Sequence, residues 1–171
     1  VSIIIPIYNR FDVLETLLNS YFENVSNDIS QELILVDDGS TEDITEILRK
    51  YAGRFCGAII QNVSNLGYAV ACNNGLKIAF GKYSAFVNSD IVVISSDWLQ
   101  EMIRSLEEHV HAGAVSPVLL RSDKKTIQYA GSLITEGDYP DNSFDHKHYF
   151  KEFPQSANLV YEDFYSESLS G

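Results

Sequence analysis

Asn88-Ser89-Asp90 stands where one apolar run, Tyr83-Ser84-Ala85-Phe86-Val87, gives way to a turn before a second, Ile91 to Ile94. A carboxylate just past the carboxyl end of a core strand lies where open α/β sheets bind ligands. Asp90 can hold a divalent cation, Mn²⁺ or Mg²⁺, whose shell water and substrate phosphates complete. Such an ion neutralises a leaving diphosphate. The same Asp could instead cap the turn that follows the strand. Asn88 exchanges hydrogen bonds but adds no charge, so the cluster holds a single carboxylate.

Two more apolar runs end in polar clusters. Ser2 to Ile7 leads into Tyr8-Asn9-Arg10, and Glu32 to Val36 into Asp37-Asp38-Gly39-Ser40. If the three strands are parallel neighbours, the clusters converge on one crevice. Adjacent side chains at a strand end point to opposite sides, so at most one of Asp37 and Asp38 faces a ligand. There a carboxylate accepts hydrogen bonds from a base N–H or a ribose hydroxyl; the alternative is a helix-start turn. Pro6, Tyr8 and Asn9 close the first strand, and the Tyr8 ring either stacks on a nucleobase or packs in the core. Asn65 and Gly67 precede a helix amino terminus, whose N–H groups suit phosphate oxygens. No Walker loop or dinucleotide fingerprint accompanies them. His109-Val110-His111 and His146-Lys147-His148 read as surface pairs, and no nucleophile elbow is present.

The elements that must position these residues alternate. Strands are predicted over Ser2 to Ile7, Glu32 to Val36, Gly57 to Gln61, Tyr83 to Val87 and Ala114 to Leu120, the last interrupted by Pro117. A helix begins at Asp12, with Val13, Leu14, Leu17, Leu18 and Tyr21 on one face. A second begins at Ser40-Thr41-Glu42-Asp43, a hydroxyl cap followed by acidic first-turn residues, and carries Ile44, Ile47 and Leu48. A third runs from Tyr68 to Phe80 and is closed by Gly81; a fourth is capped at Ser96-Asp97-Trp98. This alternation predicts an α/β fold, a mostly parallel sheet with helices on both faces. Ile127 to Thr135 reads as a strand or hairpin arm around Gly131, and Glu136 to Pro154 as a long surface loop.

Composition narrows the function classes. The chain has 171 residues, 45% apolar and 21% charged, enough for one domain with a core. A formal charge of −12 argues against a nucleic-acid partner. No apolar run reaches the roughly 18–20 residues of a membrane span, and the opening residues do not read as a signal peptide. The opening Val1-Ser2-Ile3, without Met, suggests a trimmed or processed chain. Cys56 and Cys72, in apolar contexts, read as buried free thiols of a reducing compartment. There the sequons at Asn24 and Asn62 carry no meaning.

In order, the motifs resemble those of family 2 glycosyltransferases with the GT-A fold. Val1 to Arg10 and then Leu33 to Thr41 resemble the family's opening. Asn65 to Gly75 looks like the segment before its fourth strand, and Phe86-Val87-Asn88-Ser89-Asp90 sits where its Asp-x-Asp motif belongs. Ile127-Gln128-Tyr129-Ala130-Gly131 resembles the bacterial rhamnosyltransferase-like branch.

The resemblance implies inverting transfer of a sugar from a nucleoside-diphosphate donor to a saccharide or lipid-linked acceptor hydroxyl. It implies nucleotide contacts at Pro6, Tyr8, Asp37 and Asp38, a ribose contact at Asn88 and a metal at Asp90, in a variant motif whose first Asp is Asn. The donor-binding core is expected over residues 1–135 and the loop-rich start of an acceptor-side region over 136–171. The parent enzyme is expected at the cytoplasmic side of a bacterial membrane, with peripheral membrane association through regions outside this chain, making surface polysaccharide or glycolipid. Glu162-Asp163 is the one late acidic pair, but its flanks do not fit the family's catalytic base, which is expected beyond Gly171. A nucleotidyltransferase would need a glycine-rich basic loop in place of Ile5 to Asn9. A non-catalytic sugar-nucleotide module is the remaining rival.

Overall fold

Strands and helices alternate in the computed structural model, which describes residues 1–51, 53–54, 56–130, 132–136 and 144–148, the last two stretches by backbone alone. One compact unit, Val1–Ser96, holds β1 (Ser2–Ile7), α1 (Phe11–Asn24), β2 (Glu32–Asp37), α2 (Thr45–Tyr51), β3 (Gly57–Gln61), α3 (Tyr68–Leu76) and β4 (Ser84–Phe86). A second unit begins at Asp97 and holds α4 (Trp98–Glu108), β5 (Leu119–Leu120), β6 (Ile127–Tyr129), β7 (Ser132–Glu136) and β8 (Phe144–His148).

The first unit is built on a parallel sheet of order β3-β2-β1-β4. Every residue of β1 is buried, as expected of a central strand covered on both faces. The chain steps one way from β1 to β2 to β3, then returns past two strands to β4. Right-handed crossovers therefore place α1 and α2 on one face and α3 on the other. Packing agrees: Ala71 of α3 joins Ile4, Ile34 and Val36 in one buried cluster. A Cβ on Gly75 would lie 2.5 Å from Ile4 Cγ2, so α3 seats against the sheet at a distance only glycine permits. On α1, Leu14, Leu17, Leu18 and Tyr21 are buried, as their spacing predicts. The Tyr51 hydroxyl of α2 donates to Asn19 Oδ1 at 2.7 Å, tying the two helices together.

At the amino end of the sheet, Glu32 Oε1 accepts hydrogen bonds from the Ser2 hydroxyl at 2.5 Å and the N–H groups of Phe80 and Gly81 at 2.7 and 3.2 Å. Gly81 is therefore not the helix terminator its position suggests. Helix α3 ends at Leu76, and a Cβ on Gly81 would sit 2.6 Å from the Ser2 nitrogen. The residue is small because two backbones meet there.

Other expectations shift for local reasons. Helix α2 begins at Thr45, because Ser40 is engaged by Asn9 while the Asp43 carboxylate accepts from the Thr45 N–H at 2.8 Å. Strand β4 is shorter than the apolar run and half exposed; among the described residues it pairs only with β1, and Phe86 remains 43% exposed. Only Leu119 and Leu120 of the predicted fifth strand pair, beyond Pro117, which has no N–H to give a ladder. They meet β6 in an antiparallel pair, where Ile127 and Ala130 form a small core with Leu120. The loop expected over Glu136 to Pro154 contains β8, paired antiparallel with β7. Gly131 and most of residues 136–171 lie outside the described residues, as do Glu162 and Asp163. Cys72 is buried, whereas Cys56 is exposed, just ahead of β3.

Candidate functional site

The strand order reverses between β1 and β4, and at such a switch point an open α/β sheet has a crevice at the carboxyl ends of its strands. A cavity of about 460 Å³ occupies that place. Pro6, Ile7, Tyr8 and Arg10 line it from the end of β1, Val13 from α1 and Asp38 from the end of β2. Asn65, Gly67, Tyr68 and Ala71 line it from the start of α3, and Asn88, Ser89 and Asp90 from the turn after β4. The three polar clusters thus converge.

Within the clusters, the fold sorts neighbours. Asp37 and Asp38 are both buried, but only Asp38 lines the cavity. The Asp37 carboxylate is turned away, accepting from the Ser40 N–H at 2.9 Å and from Gln61 Nε2 at 3.2 Å. Asn9 likewise does not line the cavity. Its Oδ1 accepts from the Thr41 N–H at 3.0 Å and its own N–H donates to Ser40 Oγ at 2.8 Å, pinning the turn after β1 to the loop after β2. Tyr8 is 48% exposed on the cavity wall, so its ring is available for stacking and is not core packing.

Asp38 is a junction. Its carboxylate accepts from Asn62 Nδ2 at 2.7 Å, from the Gly67 N–H at 2.8 Å and from the Leu66 N–H at 3.1 Å. The N–H groups of Leu66 and Gly67, ahead of α3, are therefore engaged by a carboxylate and do not stand open for phosphate. Behind Asp38, Asn62 Oδ1 accepts from Asn74 Nδ2, and Asn74 Oδ1 from Lys77 Nζ, at 3.1 and 3.0 Å.

The turn after β4 is held from behind. The Ser20 hydroxyl accepts from the Val93 N–H at 3.0 Å, and Asn24 Nδ2 donates to the Val93 carbonyl at 3.2 Å. Asp90 is exposed at the cavity. Asn88 Oδ1 is buried and has no hydrogen-bond partner. A buried carbonyl oxygen left unpaired is costly, and Asn88 lies in the cavity wall. Among the described residues, no group of three or more His, Cys, Asp or Glu side chains could hold a metal. Asp90 and Asn88 Oδ1, two hard oxygens, suit a divalent cation that takes its other ligands from phosphate and water.

Arg10, Val13, Tyr68 and Ala71 also line the cavity, though motif reasoning does not single them out. Arg10 had a signal in its place directly after Tyr8-Asn9; it sits in the left-handed region at φ 54°, beside Asn9 at 55°. Its guanidinium is held above its usual pKa by the hydrogen bond to Asp12, with smaller contributions from Asp90 and Glu42. For Tyr68, burial pushes the phenol up, helped by Cys72.

The family model described as Glycosyl transferase family 2 matches residues 2–162. The chain is 35% identical over 107 residues to the uncharacterized glycosyltransferase YibD of Escherichia coli, covering 63% of this chain and 30% of that protein. It is 34% identical over 92 residues to a poly(ribitol-phosphate) beta-glucosyltransferase of Bacillus spizizenii, covering 53% and 14%. The chain thus spans less than a third of the length of these two relatives. Among solved structures it resembles S. aureus TarS (residues 1–349) with a TM-score of 0.56 and 27% identity, covering 76% of this chain and 41% of that one. TarS has also been seen with UDP-GlcNAc, at 26% identity and TM-score 0.57 over 70% and 38% of the two chains. A mannosyltransferase of Pyrobaculum calidifontis, in complex with GDP-Man and Mn²⁺, shares the fold at 22% identity and TM-score 0.60, covering 70% and 35%. The parallel sheet with helices on both faces is the α/β GT-A fold.

Proposed function

This chain belongs to glycosyl transferase family 2, and on that premise we propose that its cavity binds the nucleoside-diphosphate sugar donor of an inverting glycosyltransferase. The observation that carries the reading is the meeting of Tyr8, Asp38, Asn88 and Asp90 in one cavity at the switch point of the sheet. Tyr8 stacks on the base, and Asp38, already fixed by Asn62 and the loop before α3, accepts from the base or ribose with its one remaining lone pair. Asn88 meets the ribose side of the diphosphate. Asp90 and the Asn88 carbonyl would hold Mn²⁺ or Mg²⁺, which when bound offsets the negative charge of the diphosphate.

In the reaction, an acceptor hydroxyl oxygen attacks the anomeric carbon from the face opposite the diphosphate. The new C–O bond forms as the bond to the β-phosphate oxygen breaks. The hydroxyl proton passes to a carboxylate base on the acceptor side, and the nucleoside diphosphate leaves. We assign the donor core to residues 1–135, the beginning of the acceptor side to 136–171, and the parent enzyme to the cytoplasmic face of a bacterial membrane, where it builds envelope saccharide. Relatives acting on poly(ribitol-phosphate) and binding UDP-GlcNAc support this class of chemistry.

Thermal denaturation of the 171-residue chain with UDP, GDP and their sugar conjugates, with and without Mn²⁺, tests the donor site. At a hundredfold excess over Kd, the matching nucleotide should raise Tm by about 5–10 °C, part of it dependent on Mn²⁺. No shift across the panel would overturn the reading. If the full-length protein binds donor yet neither transfers nor hydrolyses it with Mn²⁺ or Mg²⁺, it is a binding module and not an enzyme.

A further inference from the structure

We propose that Arg10 is a diphosphate-binding residue, which exchanges its partner Asp12 for the phosphate oxygens of the bound donor. The inference rests on the donor-site reading above and adds to it a contact that no motif assigns.

Charge in the cavity wall is the first reason. Asp38 and Asp90 bring two carboxylates, and Arg10 is the one Lys or Arg side chain among the residues that line it. A diphosphate entering beside two carboxylates is repelled unless cations meet it. A divalent ion at Asp90 supplies one; Arg10 is the cation the protein itself contributes. A planar guanidinium also matches two phosphate oxygens at once.

Geometry is the second. Asn9 and Arg10 both hold positive φ, near 55° and 54°. Asn tolerates that region, whereas a long side chain is uncommon there. The three bonds that fasten Asn9 to the β2–α2 loop hold the turn in this shape. The turn carries Arg10 to the cavity wall in place of letting it continue away along α1. Strain kept at a ligand cavity points to use.

The third reason is that Arg10 can be released. Its bonds to Asp12 are 3.1 and 3.3 Å long, and the two side chains are 68% and 69% exposed. A solvent-exposed pair of this kind adds little stability, so a phosphate can displace the carboxylate. Asp12 holds the guanidinium at the rim until then.

Calorimetric titration of the 171-residue chain and its Arg10→Ala variant with UDP, GDP, uridine and guanosine, all with Mn²⁺, decides the matter. The variant should lose about tenfold in affinity for whichever diphosphate the wild type binds, while affinity for the matching nucleoside stays within about twofold. Arg10→Lys should recover part of the loss, since it restores charge but not the fork. Equal losses for diphosphate and nucleoside would mean that Arg10 only shapes the turn, and would overturn the proposal. So would an unchanged diphosphate affinity, and either result would leave the donor-site reading standing. A wild type that binds neither UDP nor GDP removes both.

Discussion

At the amino end of the sheet the Glu32 carboxylate gathers a hydroxyl and two backbone N–H groups, while at the carboxyl end the Asn88 carboxamide oxygen is buried with no partner beside an exposed Asp90. Both ends bring polar groups to the termini of the same strands. One end spends its hydrogen bonds on closing the fold, joining the segment after α3 to the starts of β1 and β2. The other leaves an oxygen unpaired, at a cost in stability, and in the proposed function that oxygen meets the donor. Asp38 stands between these cases: it lines the cavity, yet three N–H donors, from Asn62, Leu66 and Gly67, already hold its carboxylate.

The contrast breaks most sharply at Asp90. In the full-length protein, Asp90→Ala should lower transfer by about a hundredfold or more and abolish the Mn²⁺-dependent part of the nucleotide shift, with Tm in the absence of nucleotide unchanged. A large drop in that Tm would place Asp90 with Glu32 as a structural group. Asp38→Asn comes next. One carboxamide oxygen cannot serve all three donors, and its NH₂ opposes theirs, so urea denaturation should show a loss of about 2–3 kcal/mol. Nucleotide affinity should fall as well, because Asp38 sits in both roles.

Asn88→Ala sharpens the difference from the opposite side. Removing an unpartnered carbonyl oxygen should leave stability unchanged or raise it by up to about 1 kcal/mol, while calorimetry should find donor affinity weakened about fivefold to tenfold. The smallest effect belongs to Glu32. The Ser2 hydroxyl, then the Phe80 N–H, hold its carboxyl below the usual glutamate range. Its stabilisation is therefore complete above that range and is lost as pH falls through the lowered value. Wild type should exceed Glu32→Gln by about 2–4 °C in Tm at neutral pH, with the gap closing in acid.

Much of this was legible in the order of residues. Alternation of strand and helix, and the polar clusters at three strand ends, follow from local periodicity, and so does the apolar face of α1. Element ends were less legible. Gly81 looks like a helix cap in sequence, yet its smallness answers the Ser2 backbone, 79 residues away. Ser40 looks like a helix start, but Asn9, 31 residues earlier, occupies its hydroxyl.

Taken alone, the amino-acid sequence determined that Asp90, Asp37-Asp38 and Tyr8 would lie at strand ends, because a run of apolar residues and the turn that stops it are local events. Only tertiary structure decided what each of them does. Strand order brought β1 and β4 side by side and made the crevice; the pleat turned Asp38 into the cavity and Asp37 towards Gln61. The loop before α3 then fixed the Asp38 carboxylate, and the turn at Asn9 carried Arg10 to the wall. These outcomes depend on contacts between residues far apart in the chain, which no local pattern encodes.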